Sequence, residues 1–158
     1  MIGNVPNHPD DRLLRDVHVN LLRTHDFLEH EFALFFSSFG VSGPQFNVLT
    51  ALRRYAAKGL PLKKISGELA KREPDVTRLV DRLEKIGLVD RKRCSKDRRV
   101  VWVRLRPAGN DLVEKIGPGL AELRRKLFGR LGPDRVAALN ALLLEIRSPD
   151  GPAPGGPE

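Results

Sequence analysis

The chain has 158 residues and carries 28 Lys and Arg against 20 Asp and Glu, a formal net charge of +8. That length suits one domain with a core of its own. No apolar run approaches the roughly 18 residues of a membrane-spanning helix. The opening Met1 to His8 has neither the basic start nor the apolar stretch of a secretory signal. One cysteine, Cys94, excludes an internal disulfide and fits a reducing cytoplasm. With four scattered histidines beside it, a structural zinc site is not expected, and nothing in the chain calls for a cofactor.

The positive charge is localised. Residues 58–106 hold 16 basic and 7 acidic residues, whereas the remainder holds 12 basic and 13 acidic. A strong excess confined to one internal segment is the electrostatic footprint expected for a polyanion, with nucleic acid the leading candidate. An anionic membrane surface or an acidic protein is the alternative partner at this stage.

Residues 1–9 read as a loose arm. A helix is predicted from Asp10 or Asp11 to about Ser38, with Leu14, Val17, Leu21, Leu28, Phe32, Phe35 and Phe39 on one face and Leu22 and Phe36 widening it. Gly40 stops it. Ser42 is the expected N-cap of a second helix, with Pro44 in its first turn and Phe46, Leu49, Leu52 and Tyr55 on one face. A short helix over Lys63–Leu69 follows. Proline restricts the residue before it, so Glu73 is the expected N-cap of the next helix and Pro74 its first residue. Val76, Leu79, Val80, Leu83 and Ile86 form its apolar stripe, and Gly87 ends it.

Leu88–Cys94 and Val100–Leu105 read as two strands around a basic turn, Ser95-Lys96-Asp97-Arg98-Arg99. Pro107 opens a long helix through Leu112, Ile116, Leu120, Leu123 and Leu127. Gly117-Pro118-Gly119 lies inside it and predicts a kink or break that is a candidate joint. A last helix follows Gly132-Pro133, with Val136, Leu139, Leu142, Leu143 and Ile146 expected inward. Ser148–Glu158, with four Pro and three Gly, reads as a disordered tail.

The fold class is therefore mainly α with a small β-hairpin, and the order of elements in the charged window is that of a winged helix-turn-helix. On the second short helix the face opposite the apolar stripe carries Asp75, Thr77, Arg78, Asp81, Arg82 and Lys85. A helix fits the DNA major groove, and an Arg near its start can pair bidentately with guanine. Thr77 and Arg78 are the favoured base readers. Asp81 and Lys85 read better as an i,i+4 pair on a solvated face. The hairpin packs Lys92, Arg93, Lys96, Arg98, Arg99, Arg104 and Arg106 into fifteen positions, suited to phosphates and to the narrow minor groove. Asp97 can brace the Arg99 guanidinium, order the turn by local hydrogen bonding, or do both.

Several rival sites are weaker. Cys94 reads as structural or incidental rather than redox-active. His18 and His25 share a face of the first helix but lack an acidic or Cys partner at metal spacing. Trp102 is expected to pack against a neighbouring helix. No nucleophile elbow, Gly-rich phosphate loop or His-Glu metal pair is present, so catalysis is not expected.

The run Arg72 to Lys85, then Gly87-Leu88-Val89, then Asp97-Arg98-Arg99 leading into Val103-Arg104-Leu105 and Gly109, resembles the MarR family of transcriptional regulators. The resemblance covers residues 10–147. It implies winged helix-turn-helix DNA binding by residues 58–106 and a homodimer built from 10–39 and 107–147. It implies that Arg72, Pro74, Asp75, Thr77, Arg78 and Arg82 meet the major groove, and that Lys96, Asp97, Arg98 and Arg99 form the wing contact, with Arg99 in the minor groove. It further implies a pseudo-palindromic double-stranded operator, repression relieved by a small-molecule effector, and an effector pocket between the dimerisation helices and the DNA-binding lobe. Two positions depart from the family's pattern, Arg106 where Thr is common and the Gly-Pro-Gly insertion. The competing reading is a winged-helix protein-interaction module for an acidic partner.

Overall fold

Eleven short elements follow one another in the computed structural model, which describes residues 9–56, 58–69, 73–95 and 97–147. The proposed arm and tail, apart from Pro9, lie outside these residues, as do Arg72 and Lys96. The chain divides into two units with the boundary after Val113.

In the first unit α1 spans Pro9–Ser37 and ends where Gly40 turns left-handed, at φ 71°. The α2 helix, Gly43–Arg54, starts on the expected cap. The Gln45 N–H donates to Ser42 Oγ, and Gln45 Oε1 accepts from the Ser42 N–H, a reciprocal capping box. Phe46, Val48, Leu49, Ala51 and Leu52 of α2 are buried. Phe36 of α1 lies with its ring centroid 5.0 Å from that of Phe46, which fastens the end of α1 to α2. Burying such side chains contributes about 1.5–3 kcal/mol each.

A two-residue strand, β1 (Leu60–Pro61), then leads into α3 (Leu62–Ile65) and a 3-10 turn (Ser66–Glu68). The predicted helix over 63–69 is therefore shorter than the periodicity implied, because Ser66-Gly67 tightens the chain before a second α turn can close. The α4 helix is Val76–Lys85. Strands β2 (Val89–Arg93) and β3 (Val101–Leu105) pair antiparallel, Lys92 opposite Trp102 and Arg91 opposite Val103. The first strand adds to the other edge of β3, Leu60 opposite Val103, giving the order β1-β3-β2. Pro61 is tolerated there because an edge strand leaves its missing N–H uncompensated only toward solvent. Val80, Leu83, Val89, Val103 and Ile65 close the core beneath α4.

Helix α5 begins at Pro107. A Cβ on Gly109 would fall 2.3 Å from the Leu88 carbonyl oxygen and 2.7 Å from Leu105 Cδ1, so only glycine lets the start of α5 press on the wing. Gly109→Ala gains helix propensity but must displace backbone. The overlap wins, and we expect a loss of about 1–3 kcal/mol in urea unfolding; unchanged stability would overturn this account of the contact.

The second unit comprises α5 beyond Val113 (the helix runs to Phe128), a 3-10 turn (Gly129–Leu131) and α6 (Pro133–Arg147). Of the kink or break expected at Gly117-Pro118-Gly119, the break does not occur: α5 is one helix from Pro107 to Phe128 with Pro118 inside it. Proline costs one backbone hydrogen bond and a steric conflict with the preceding turn, and a helix of 22 residues keeps enough of both sides to continue. The face of α6 expected inward is not covered. Leu139, Leu142 and Ile146 are 37%, 57% and 61% exposed, and no residue of α6 is buried. On α1, Leu13, Leu14, Val17, Leu21 and Leu22 are exposed as well. Both stripes are legible as apolar faces, but the α1 stripe is half-buried only from Leu28 to Phe39, and on α6 only Val136 and Leu143 are half-buried.

Candidate nucleic-acid interface

The start of α4 differs from expectation by two residues. Asp75, not Glu73, is the N-cap: its Oδ1 accepts the Arg78 N–H at 3.0 Å, and Pro74 lies in the turn before the helix. Aspartate is among the best N-cap residues, and its short side chain reaches back to the third amide. Pro74 serves equally well in a turn. The shift makes Val76 the first helical residue and puts Thr77 and Arg78 in the first turn, with both side chains exposed. Arg78 also approaches Asp75 Oδ2 with its Nε at 3.7 Å while remaining 73% exposed. Asp75 therefore orders Arg78 through both backbone and side chain, and its carboxylate is already engaged. Arg82 is exposed one turn on. Ile86, expected in the stripe, caps the helix and is 53% exposed, because the chain leaves the helix there toward the left-handed Gly87.

Asp81 does not pair with Lys85. It binds Arg91 of β2, a residue that sequence reasoning passed over. Arg91 Nη1 lies 2.5 Å from Asp81 Oδ1, while Nε and Nη2 donate to Glu84 Oε2 at 2.8 and 2.5 Å. One guanidinium thus fastens two carboxylates of α4 to the wing. The hydrogen bond to Glu84 holds Arg91 above its ordinary pKa against partial desolvation. The only available signal was alternation: Val89, Arg91 and Arg93 face the same side of the hairpin as buried Val103.

At the wing turn, Asp97 Oδ1 accepts the Arg99 N–H at 2.9 Å, and the Val100 N–H donates to the Asp97 carbonyl at 3.0 Å. Of the two readings of Asp97, local ordering of the turn is the one observed. Among the described residues it forms no ion pair with the Arg99 guanidinium. Arg98 and Arg99 are exposed at the tip.

The helix-turn-helix is tied back to α2 at its other end. Arg54 donates to the Glu68 carbonyl at 2.8 Å and pairs with its carboxylate at 3.3 Å. A hydrogen bond between Tyr55 and Glu68 holds the phenol above its usual pKa. Trp102 lies in β3. It stands on the outer face of the sheet opposite Lys92, half-buried among basic side chains.

Two short helical segments, a capped helix with an exposed basic first turn, and a basic hairpin locked to that helix define a winged helix-turn-helix protein. Residues 41–101 match the MarR family. The chain is 34% identical over 113 residues to the HTH-type transcriptional regulator MgrA of Staphylococcus aureus, covering 70% of this chain and 73% of that one. Among solved structures it is similar to a MarR transcription factor from Planctomyces limnophilus, with TM-score 0.67, 31% identity and coverage of 90% of this chain and 98% of the other. It is also similar to BpsR of Bordetella bronchiseptica, with TM-score 0.71, 27% identity and coverage of 84% and 98%. The chain belongs to the MarR family of helix-turn-helix transcriptional regulators. No helix among the described residues is long and apolar enough to cross a membrane.

Proposed function

We propose that this protein is a cytoplasmic, sequence-specific regulator that represses transcription by binding duplex DNA as a homodimer and is released by a small molecule. The observation that carries the reading is the first turn of α4, where Thr77 and Arg78 are presented by a cap that leaves them exposed, on a helix that Asp81 and Glu84 fasten to a basic wing. Arg78 and Arg82 would meet base edges, with Thr77 and Pro74 beside them, and Asp75 would position Arg78. Arg98 and Arg99 would approach the minor groove from the ordered turn at Asp97; Arg72 and Lys96 are assigned to the same two contacts by their place in the sequence. BpsR, whose DNA binding is regulated by 6-hydroxynicotinic acid, supports release by a ligand. The uncovered apolar faces of α1 and α6 support a dimer. Two recognition helices then need a separation of about 34–36 Å to enter successive major grooves. No observation favours an interaction module for an acidic protein.

Footprinting on the DNA flanking the protein's own gene tests the reading: a protected pseudo-palindrome is expected, and binding indifferent to sequence would overturn it. The two arginine roles separate in the same assay. Arg78→Ala should cost about 1–3 kcal/mol at one position of each half-site and relax base preference there. Arg99→Ala should weaken binding while major-groove preference stays. Identical losses in both footprints would refute the division of roles.

A further inference from the structure

The wing holds a cavity of about 400 Å3 lined by Lys58, Lys92, Arg93, Cys94, Trp102 and Arg104, of which Lys92, Trp102 and Arg104 lie on the face of the sheet opposite Arg91. That volume lies within the range of small-molecule sites, about 300–1,000 Å3. Its construction is specific. Gly59 is left-handed, at φ 74°, and a Cβ there would lie 2.5 Å from the Val103 carbonyl oxygen and 2.7 Å from Arg104 Cγ. The turn after α2 can therefore press directly on β3, and this brings Lys58 beside Arg104 and Trp102. Lys92 is opposite Trp102 across the β2–β3 pair, so the indole and the Lys92 side chain lie on the same side of the sheet, and both line the cavity.

Four cations around one concavity repel each other, and no carboxylate lines it. Asp90 stands opposite Arg104 in the strand register, yet among the described residues none of the four cations forms an ion pair. All four are exposed and solvated, and a positive field of this density favours an anion carrying more than one negative charge. The indole calls for a planar ring. A monocarboxylate would leave most of the positive charge unmatched, whereas a phosphate monoester carries about −1.5 to −2 near neutral pH.

We propose that this cavity is a binding site for a nucleoside monophosphate or a ligand of the same chemistry, its ring stacked on Trp102 and its phosphate held by Lys58, Lys92 and Arg104. Stacking on an aromatic side chain is tolerant of which base is bound. Arginine and lysine together supply fork and point-charge contacts to the phosphate. The site lies apart from the first turn of α4, although Lys92, Arg93 and Arg104 belong to the basic hairpin that also suits DNA phosphates.

Trp102 is the chain's single tryptophan, so its fluorescence reports on this site alone. The full chain, free of DNA and in phosphate-free buffer, is titrated with adenosine monophosphate, adenosine, inorganic phosphate and benzoate, with calorimetry as a second readout. Saturable quenching by the monophosphate is expected, with each of the other three binding at least about tenfold more weakly because each lacks one of the two contacts or half the charge. Lys92→Gln and Arg104→Gln, which keep the side-chain stems, should each weaken the monophosphate about tenfold, while Arg125→Ala on α5 leaves it unchanged. Absence of saturable binding up to millimolar concentration overturns the proposal. Inorganic phosphate binding as tightly as the nucleotide removes the ring from it, benzoate doing so removes the phosphate, and unchanged affinity in both charge variants places binding elsewhere. Since no operator is involved, these outcomes do not depend on the proposed DNA reading.

Discussion

Arg91→Ala is expected to weaken operator binding by about tenfold or more, equivalent to at least roughly 1.4 kcal/mol, although Arg91 need not touch DNA. Two effects act together. The guanidinium bridges Asp81 and Glu84 of α4 to β2, so its loss frees the recognition helix from the wing and loosens the relative placement of the two DNA-contacting elements. It also leaves two carboxylates unneutralised on a helix presented to a polyanion. The cost in folding stability should be smaller, up to about 1 kcal/mol, since the side chains involved are 28–41% exposed and water screens the pairing. Restoring the charge balance with Asp81→Asn and Glu84→Gln in the Arg91→Ala background separates the two effects. If electrostatics dominates, affinity returns; if geometry dominates, it does not. Wild-type affinity in Arg91→Ala, measured by fluorescence anisotropy near physiological salt, would sink the idea that the helix–wing clamp matters for binding.

A larger effect is expected from a charge on α6. Leu142 is 57% exposed in the single chain, so Leu142→Glu should leave the fold of one protomer almost untouched. In a symmetric interface the substitution enters twice, and each buried, unpaired carboxylate costs several kcal/mol. The dimer should therefore dissociate at micromolar concentration, as read by light scattering. With it should go the advantage of binding two half-sites at once, about 10²–10⁴ in affinity. Helicity by circular dichroism should stay at the wild-type level. A variant that stays dimeric would show that this face of α6 is not part of the interface; a wild-type monomer would remove the dimer from the proposal altogether.

Where periodicity and caps speak for themselves, the sequence was sufficient. The apolar stripe of α1, the Ser42 cap of α2 and the stop at Gly40 depend on spacings of a few residues, the hairpin over 88–105 on alternation either side of a turn, and all are present. The concentration of charge in residues 58–106 likewise marks the candidate interface from the sequence alone. The choice between Glu73 and Asp75 as N-cap was open to a better local argument, since the superior capping residue stood two positions on.

Other features lay beyond local patterns. A two-residue strand has no period, and β1 exists only because β3 offers it a free edge. Arg91 looked like one cation in a basic run; its partners are seven and ten residues away, and only the packing of α4 on the hairpin brings them together. Trp102 lies on the face opposite Val101 and Val103 by simple alternation, but that Lys58 joins it beside Lys92 and Arg104 depends on the turn after α2, which Gly59 allows to approach β3. Pro118 was expected to interrupt α5, and the continuity of the helix around it outweighed the local penalty. The sequence by itself determined which segments are helix, which is the hairpin and where the charge is gathered, because those follow from spacings of two to four residues. Which cations are engaged by carboxylates, and which stand unmatched around a cavity, was decided by tertiary structure, because charge pairing depends on distance in space and the sequence records distance only along the chain.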